Sequence, residues 1–176
     1  MKTLSHALGS VFLPLLLAMS SVAMAGDVHR ANGAYVVHLP ASANFQQVVD
    51  RLETEIQAHN WDVLKIQDID TGLKQNYGMD IQSKVVYACK SQYLAQAIKE
   101  DPNITLIVPC RFAVYRVGPH GKAAGENAKG GEIVVGVADP VHEAKSLDIH
   151  HRKAAEIAGK ELRGILQALA EDYKTH

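Results

Sequence analysis

The sequence predicts one α/β domain of the α+β type, a two-layer sandwich in which helices cover a five-stranded sheet. The expected order is strand, helix, strand, strand, helix, strand, strand, helix. Three observations lead there. Short β-branched runs alternate with segments whose apolar residues recur every three or four positions. Asn, Asp, Gly and Pro punctuate the joins between them. Finally, about 150 residues follow the leader, enough for one core without disulfide scaffolding.

The leader is residues 1–25. Lys2 supplies its positive start, Val11 to Met19 its apolar stretch and Ala23-Met24-Ala25 a small-residue cleavage pattern. Pro14, Ser20 and Ser21 keep that stretch short of the roughly 20 apolar residues a spanning helix needs. No cysteine stands at the cleavage point to take a lipid. These features predict a periplasmic protein with no membrane anchor after cleavage. Residues 26–33 are expected to form an N-terminal extension, and residues 34–176 the domain. One of the 18 basic residues lies in the leader, so the remainder, with 19 acidic residues, carries about −2. Without a run of Lys or Arg, that balance predicts no nucleic-acid partner.

Tyr35 to Leu39 reads as the first strand, stopped by Pro40. Asn44 suits a helix N-cap with Gln47 three residues on, and Phe45, Val48, Val49, Leu52 and Ile56 follow at helical spacing. Asn60 suits a left-handed stop. Trp61 to Ile69 is the second strand, and Leu73 to Tyr77 one helical turn before Gly78. The third strand, Lys84 to Cys89, places Val85, Tyr87 and Cys89 on one face. Ser91 to Glu100 is the second helix, ended by Asp101-Pro102. Ile104 to Val108 opens the fourth strand, which bends at Pro109 and continues through Tyr115. Five glycines make Gly118 to Gly131 a mobile hairpin loop. Glu132 to Val137 is the fifth strand. Residues 146–174 form one long C-terminal helix, with a stripe through Ala158, Leu162, Ile165, Leu166, Leu169 and Tyr173.

With that order in place, Val86-Tyr87-Ala88-Cys89, Leu94-Ala95, Asp101-Pro102 and Leu106-Ile107-Val108-Pro109-Cys110 form a pattern. It resembles the bacterial family called domain of unknown function 302, from about Tyr35 to Tyr173. Asp139-Pro140 after the last strand fits too. The chain departs from the family at Lys90-Ser91, where Asn-Pro is common, and in its long glycine loop. The resemblance implies a compact α/β domain, often dimeric, and no established reaction.

Cys89 and Cys110 are the only cysteines, one on each side of the second helix. If the third and fourth strands are parallel neighbours, the thiols share one end of the sheet. A bridge needs Cα atoms within about 7 Å. Closing the 21-position loop would add about 3 kcal/mol. A structural disulfide, two buried thiols and a redox pair are the alternatives. The close Cys-x-x-Cys spacing of catalytic dithiols is absent. Lys90 and Arg111 each follow a cysteine and could lower a thiol pKa, although Arg111 would point away from Cys110.

None of the eight histidines beyond the leader has another at metal-ligand spacing. Gly121-Lys122 lacks the hydroxyl and glycine of a phosphate loop, and no nucleophile elbow or dinucleotide fingerprint occurs. Arg111, Tyr115 and Arg116 are candidates for a small anionic site at the bend. The first functional expectation is a non-enzymatic periplasmic module, a homodimer, binding a small ligand or partner protein in a groove on the sheet. No cofactor is predicted. The second is a thiol-disulfide protein using Cys89 and Cys110, and the third a histidine-dependent metal or haem carrier.

Overall fold

The computed structural model describes residues 26–126, 128, 131–150 and 152–174. The expected leader therefore lies outside the described residues, as do His151 and His176. Strands β1 (His29–Ala31), β2 (Ala34–Leu39), β3 (Asp62–Asp68), β4 (Ser83–Cys89), β5 (Cys110–Val117) and β6 (Glu132–Ala138) form one sheet. Its order is β1-β2-β6-β5-β4-β3, and every ladder is antiparallel. Helices α1 (Phe45–Ala58), α2 (Ile69–Tyr77), α3 (Ser91–Glu100), α4 (Pro140–Ser146) and α5 (Lys153–Glu171) complete the domain.

The α/β sandwich is as expected, but the sheet has six strands rather than five. The extra strand β1 lies in the stretch read as an extension. Asn32 (φ 52°) and Gly33 (φ 76°) both take left-handed backbone, the combination that turns a two-residue hairpin. A Cβ on Gly33 would also lie 2.3 Å from the exposed His142 ring, which would have to swing aside, and any other residue would be strained at this φ.

Asn44 caps α1 as expected, its Oδ1 accepting from the Gln47 amide at 3.0 Å. Asn60 provides the left-handed stop (φ 58°). Beyond β3 the single expected turn extends to the nine-residue α2, closed by Gly78 at φ 65°.

Three further readings are corrected. Residues Pro102–Ile107 form a 3-10 helix rather than the start of a strand. Asp101 caps it through the Asn103 amide, and Ile104 and Ile107, three positions apart, bury on its inner side. The strand thus begins at Cys110. Next, β4 and β5 are antiparallel rather than parallel, because α3 and the 3-10 helix return the chain to the end of the sheet it left. Third, the C-terminal helix expected over residues 146–174 spans only α5, Lys153–Glu171, and the separate α4 precedes it. Asp139 caps α4, and Asp148 (φ 56°) breaks the path so that Ile149 can bury before α5 begins. The glycine loop is also tied at its start: Ala123 bridges to Val117, and Ala124 bonds to Arg116 and Gln82.

One sheet face, through Val86, Phe112 and Val135, packs on Leu52 of α1 and Leu162 and Leu166 of α5. This is the main core. A second cluster joins α3, the 3-10 helix and the α4–α5 junction through Ala97, Ile104, Ile107, Ala144, Ile149 and Ala155. Among the described residues, no helix is long and apolar enough to cross a membrane.

β1 is held by charge. The Asp139 side chain is fully buried, and its Oδ1 accepts from the Val141 amide at 3.0 Å. Oδ2 accepts no well-aligned hydrogen bond, but the largely exposed Arg30 guanidinium lies against it. Removing either partner should have unequal effects. Arg30→Ala strands a buried charge and is expected to destabilise by about 3 kcal/mol. Asp139→Asn keeps a capping group and frees only an exposed cation, at about 1 kcal/mol. Adding Asp139→Asn to Arg30→Ala should recover most of the loss in urea denaturation. Equal losses from the two single variants would refute the buried-charge account.

Candidate functional site

Between the two core clusters lies a narrow cleft, open to solvent on one side, with about 40 Å³ of room inside it. The end of β4 and start of β5 form its floor, α3 and the 3-10 helix one wall, and the first turns of α5 the other. The walls are Leu94, Ala97, Ile104, Ile107, Ala154 and Ala155. This composition follows from the local folding. α3 turns its apolar stripe inward, while the alanines at the start of α5, Ala154, Ala155 and Ala158, are too small to fill the gap.

Cys89 and Cys110 both line this cleft, and both are free thiols. The register places Ala88 opposite Cys110, so Cys89 is offset by one residue. Side-chain alternation directs Cys110 inward with Ala88, and Cys89, the last residue of β4, stands beside it at the same end of the sheet. Burial pushes the Cys110 thiol up to about 12, reinforced by its neighbour Cys89 and by Glu143, with Arg111 opposing. Burial also raises Cys89, more than the Lys90 amide lowers it. The floor is therefore two protonated, weakly polar groups at neutral pH.

Polar groups gather at the mouth. Lys90, just before α3, sends its Nζ to Glu161 Oε2 (2.8 Å) and to the His59 carbonyl (3.1 Å). Trp61 Nε1 donates to the same Oε2 at 2.8 Å, and the Tyr93 hydroxyl donates to Oε1. Burial alone would raise the Glu161 carboxyl, but hydrogen bonds from Lys90, Tyr93 and Trp61 together hold it below the ordinary carboxylate range. The bond to Glu161 raises Tyr93, with burial adding to it. The Trp61 and Tyr93 rings meet edge to face at 6.3 Å. Sequence reasoning missed this cluster because its members lie far apart in the chain. The one available signal was Glu161 beside the apolar stripe of α5, next to Leu162.

The suggested anionic trio does not converge. Arg111 is exposed and pairs with Glu143 of α4. Tyr115 lies half-buried on the helix-free side of the sheet. Arg116 is buried on the opposite side, donating to Gln82 Oε1 (2.7 Å) and to the carbonyls of Ala41 and Ala43. It pins the β2–α1 connection. Among the described residues, no three His, Cys, Asp or Glu side chains gather closely enough to hold a metal ion. His38 instead stacks on His29 and pairs with Glu132.

A family model described as "Domain of unknown function DUF302" matches residues 37–169. The chain belongs to this family. The matched DUF302 span includes both cysteines, the clustered mouth residues and every wall of the cleft. Among solved structures, the chain is similar to the "uncharacterized conserved protein DUF302 from Bacillus stearothermophilus", a crystal structure. The TM-score is 0.60 at 19% identity, covering 81% of this chain and 99% of that one. That similarity shows the shared fold. No curated protein matches the chain.

The raised thiols carry a direct expectation. At pH 7, iodoacetamide should modify Cys89 slowly and Cys110 more slowly still, both lagging a free cysteine. Because only the thiolate reacts, the Cys110 rate should rise about tenfold per pH unit up to the limit of native stability. Mass spectrometry of timed digests checks both. Rapid labelling of Cys110 at pH 7 would contradict its placement.

Proposed function

We propose that this protein is a non-enzymatic periplasmic module that binds a small apolar molecule in the cleft between α3 and the sheet. One observation carries the reading: a concave, almost wholly apolar surface with a few polar groups at one end, left unfilled between two packed clusters. The expected groove on the sheet thus becomes a cleft at the sheet's end. A thiol-disulfide role for Cys89 and Cys110 is the weaker reading, because burial disfavours the thiolate that exchange requires.

Nile red, an uncharged apolar dye, is a suitable probe. It should bind the native protein and brighten, and Ala97→Phe, which fills the cleft, should weaken binding by at least about tenfold (~1.4 kcal/mol). Thermal melting of the variant separates filling from unfolding. Undiminished binding by a folded Ala97→Phe protein would place the dye elsewhere and defeat the proposal.

The helix-free face of the sheet supports the expected homodimer. Val36, Val85, Ala113 and Val134 lie on it with Tyr87 and Tyr115, and His38 is hydrogen-bonded to Glu132 beside them. Two such faces can stack about 10 Å apart. Sedimentation should show a dimer that Tyr115→Glu converts to monomer. A native protein that stays monomeric at high concentration would remove this contact.

A further inference from the structure

We propose that the ligand of the cleft is an uncharged apolar molecule ending in a hydrogen-bond acceptor, such as a ketone, aldehyde or ester carbonyl. This deepens the small-molecule reading above and rests on it. Leu94, Ala97, Ile104, Ile107, Ala154 and Ala155 present carbon, so an ion entering there would lose its water without replacement. The two thiols at the floor are neutral and cannot compensate a charge.

Lys90 and Glu161 are bonded at 2.8 Å and cancel, leaving no net charge to attract an anion or a cation. A carboxylate ligand would meet Glu161, and an ammonium ligand Lys90.

Glu161 already receives Lys90, Trp61 and Tyr93, so its acceptor capacity is largely taken up. Trp61 and Tyr93 have each given their one polar hydrogen. An ammonium group, however, has three. Lys90 gives one to Glu161 and one to the His59 carbonyl, and its third has no oxygen partner among the described residues. The side chain is largely buried and lines the cleft, with Nζ 5.0 Å from the Tyr93 ring centre. What the mouth has left to offer is a single donor. Its complement is an acceptor on an otherwise apolar body.

Trp61 is the only tryptophan and lines the cleft, so its fluorescence reports occupancy directly. The protein, kept reduced at pH 7, is titrated with 2-octanone, octane, octanoate and octylammonium. The ketone should bind about tenfold more tightly than octane, the effect of one charge-assisted hydrogen bond, and octanoate and octylammonium should bind more weakly than either. Lys90→Met combined with Glu161→Gln removes the donor without stranding a carboxylate. In that variant the ketone should fall to the level of octane. Octanoate binding as tightly as the ketone, or a ketone preference that survives the double variant, would overturn the inference and leave the cleft reading intact. If no octyl compound and no Nile red perturbs Trp61, both fail together.

Discussion

Antiparallel pairing of β4 with β5, Ala88 opposite Cys110, is the constraint from which the rest of the molecule follows. The chain between these strands must leave one end of the sheet and return to that same end. It does so as α3 and a 3-10 helix, too short to reach back over the main core. That excursion instead builds a satellite cluster with Ile149 and the start of α5. Two clusters sharing one long helix need not close on each other, and the space they leave is the cleft.

The same constraint decides what the cysteines can do. In a parallel pair they would have stood at corresponding strand ends. In the observed register they are neighbours offset by one residue, and both line the cleft. Burial then suppresses their ionisation. Both thiols thus form part of the largely apolar lining of the cleft.

Much of the fold was legible because local signals agreed with the tertiary result. The spacing of Val48, Leu52 and Ile56 marks α1, Asn44 caps it, and alternation through Val86 and Ala88 marks the inner face of β4. The errors came where local preference was overruled. Ile104 to Val108 has a strand's composition, yet the Asp101 cap and burial of Ile104 and Ile107 wind it into a helix. The hydrophobic stripe of α5 extrapolates smoothly backward, and nothing local announces that Ile149 will bury in another cluster. β1 was available in the Asn32-Gly33 turn, but its three residues show too little alternation to declare a strand. The mouth of the cleft was the least legible part. Trp61, Lys90, Tyr93 and Glu161 meet only through the packing of α3 on α5, and no spacing rule connects them.

The hairpin that adds β1 has a topological consequence. It brings Gly26 beside the C-terminal segment, where a Cβ at that position would lie 3.1 Å from the Lys174 side chain. The described chain is thus almost a closed loop, its first and last residues in contact. A short linker could join them and new ends be opened at the exposed turn after Gly78, leaving every ladder of the sheet in place. For this architecture, the point at which the polypeptide starts is nearly independent of the shape it encloses.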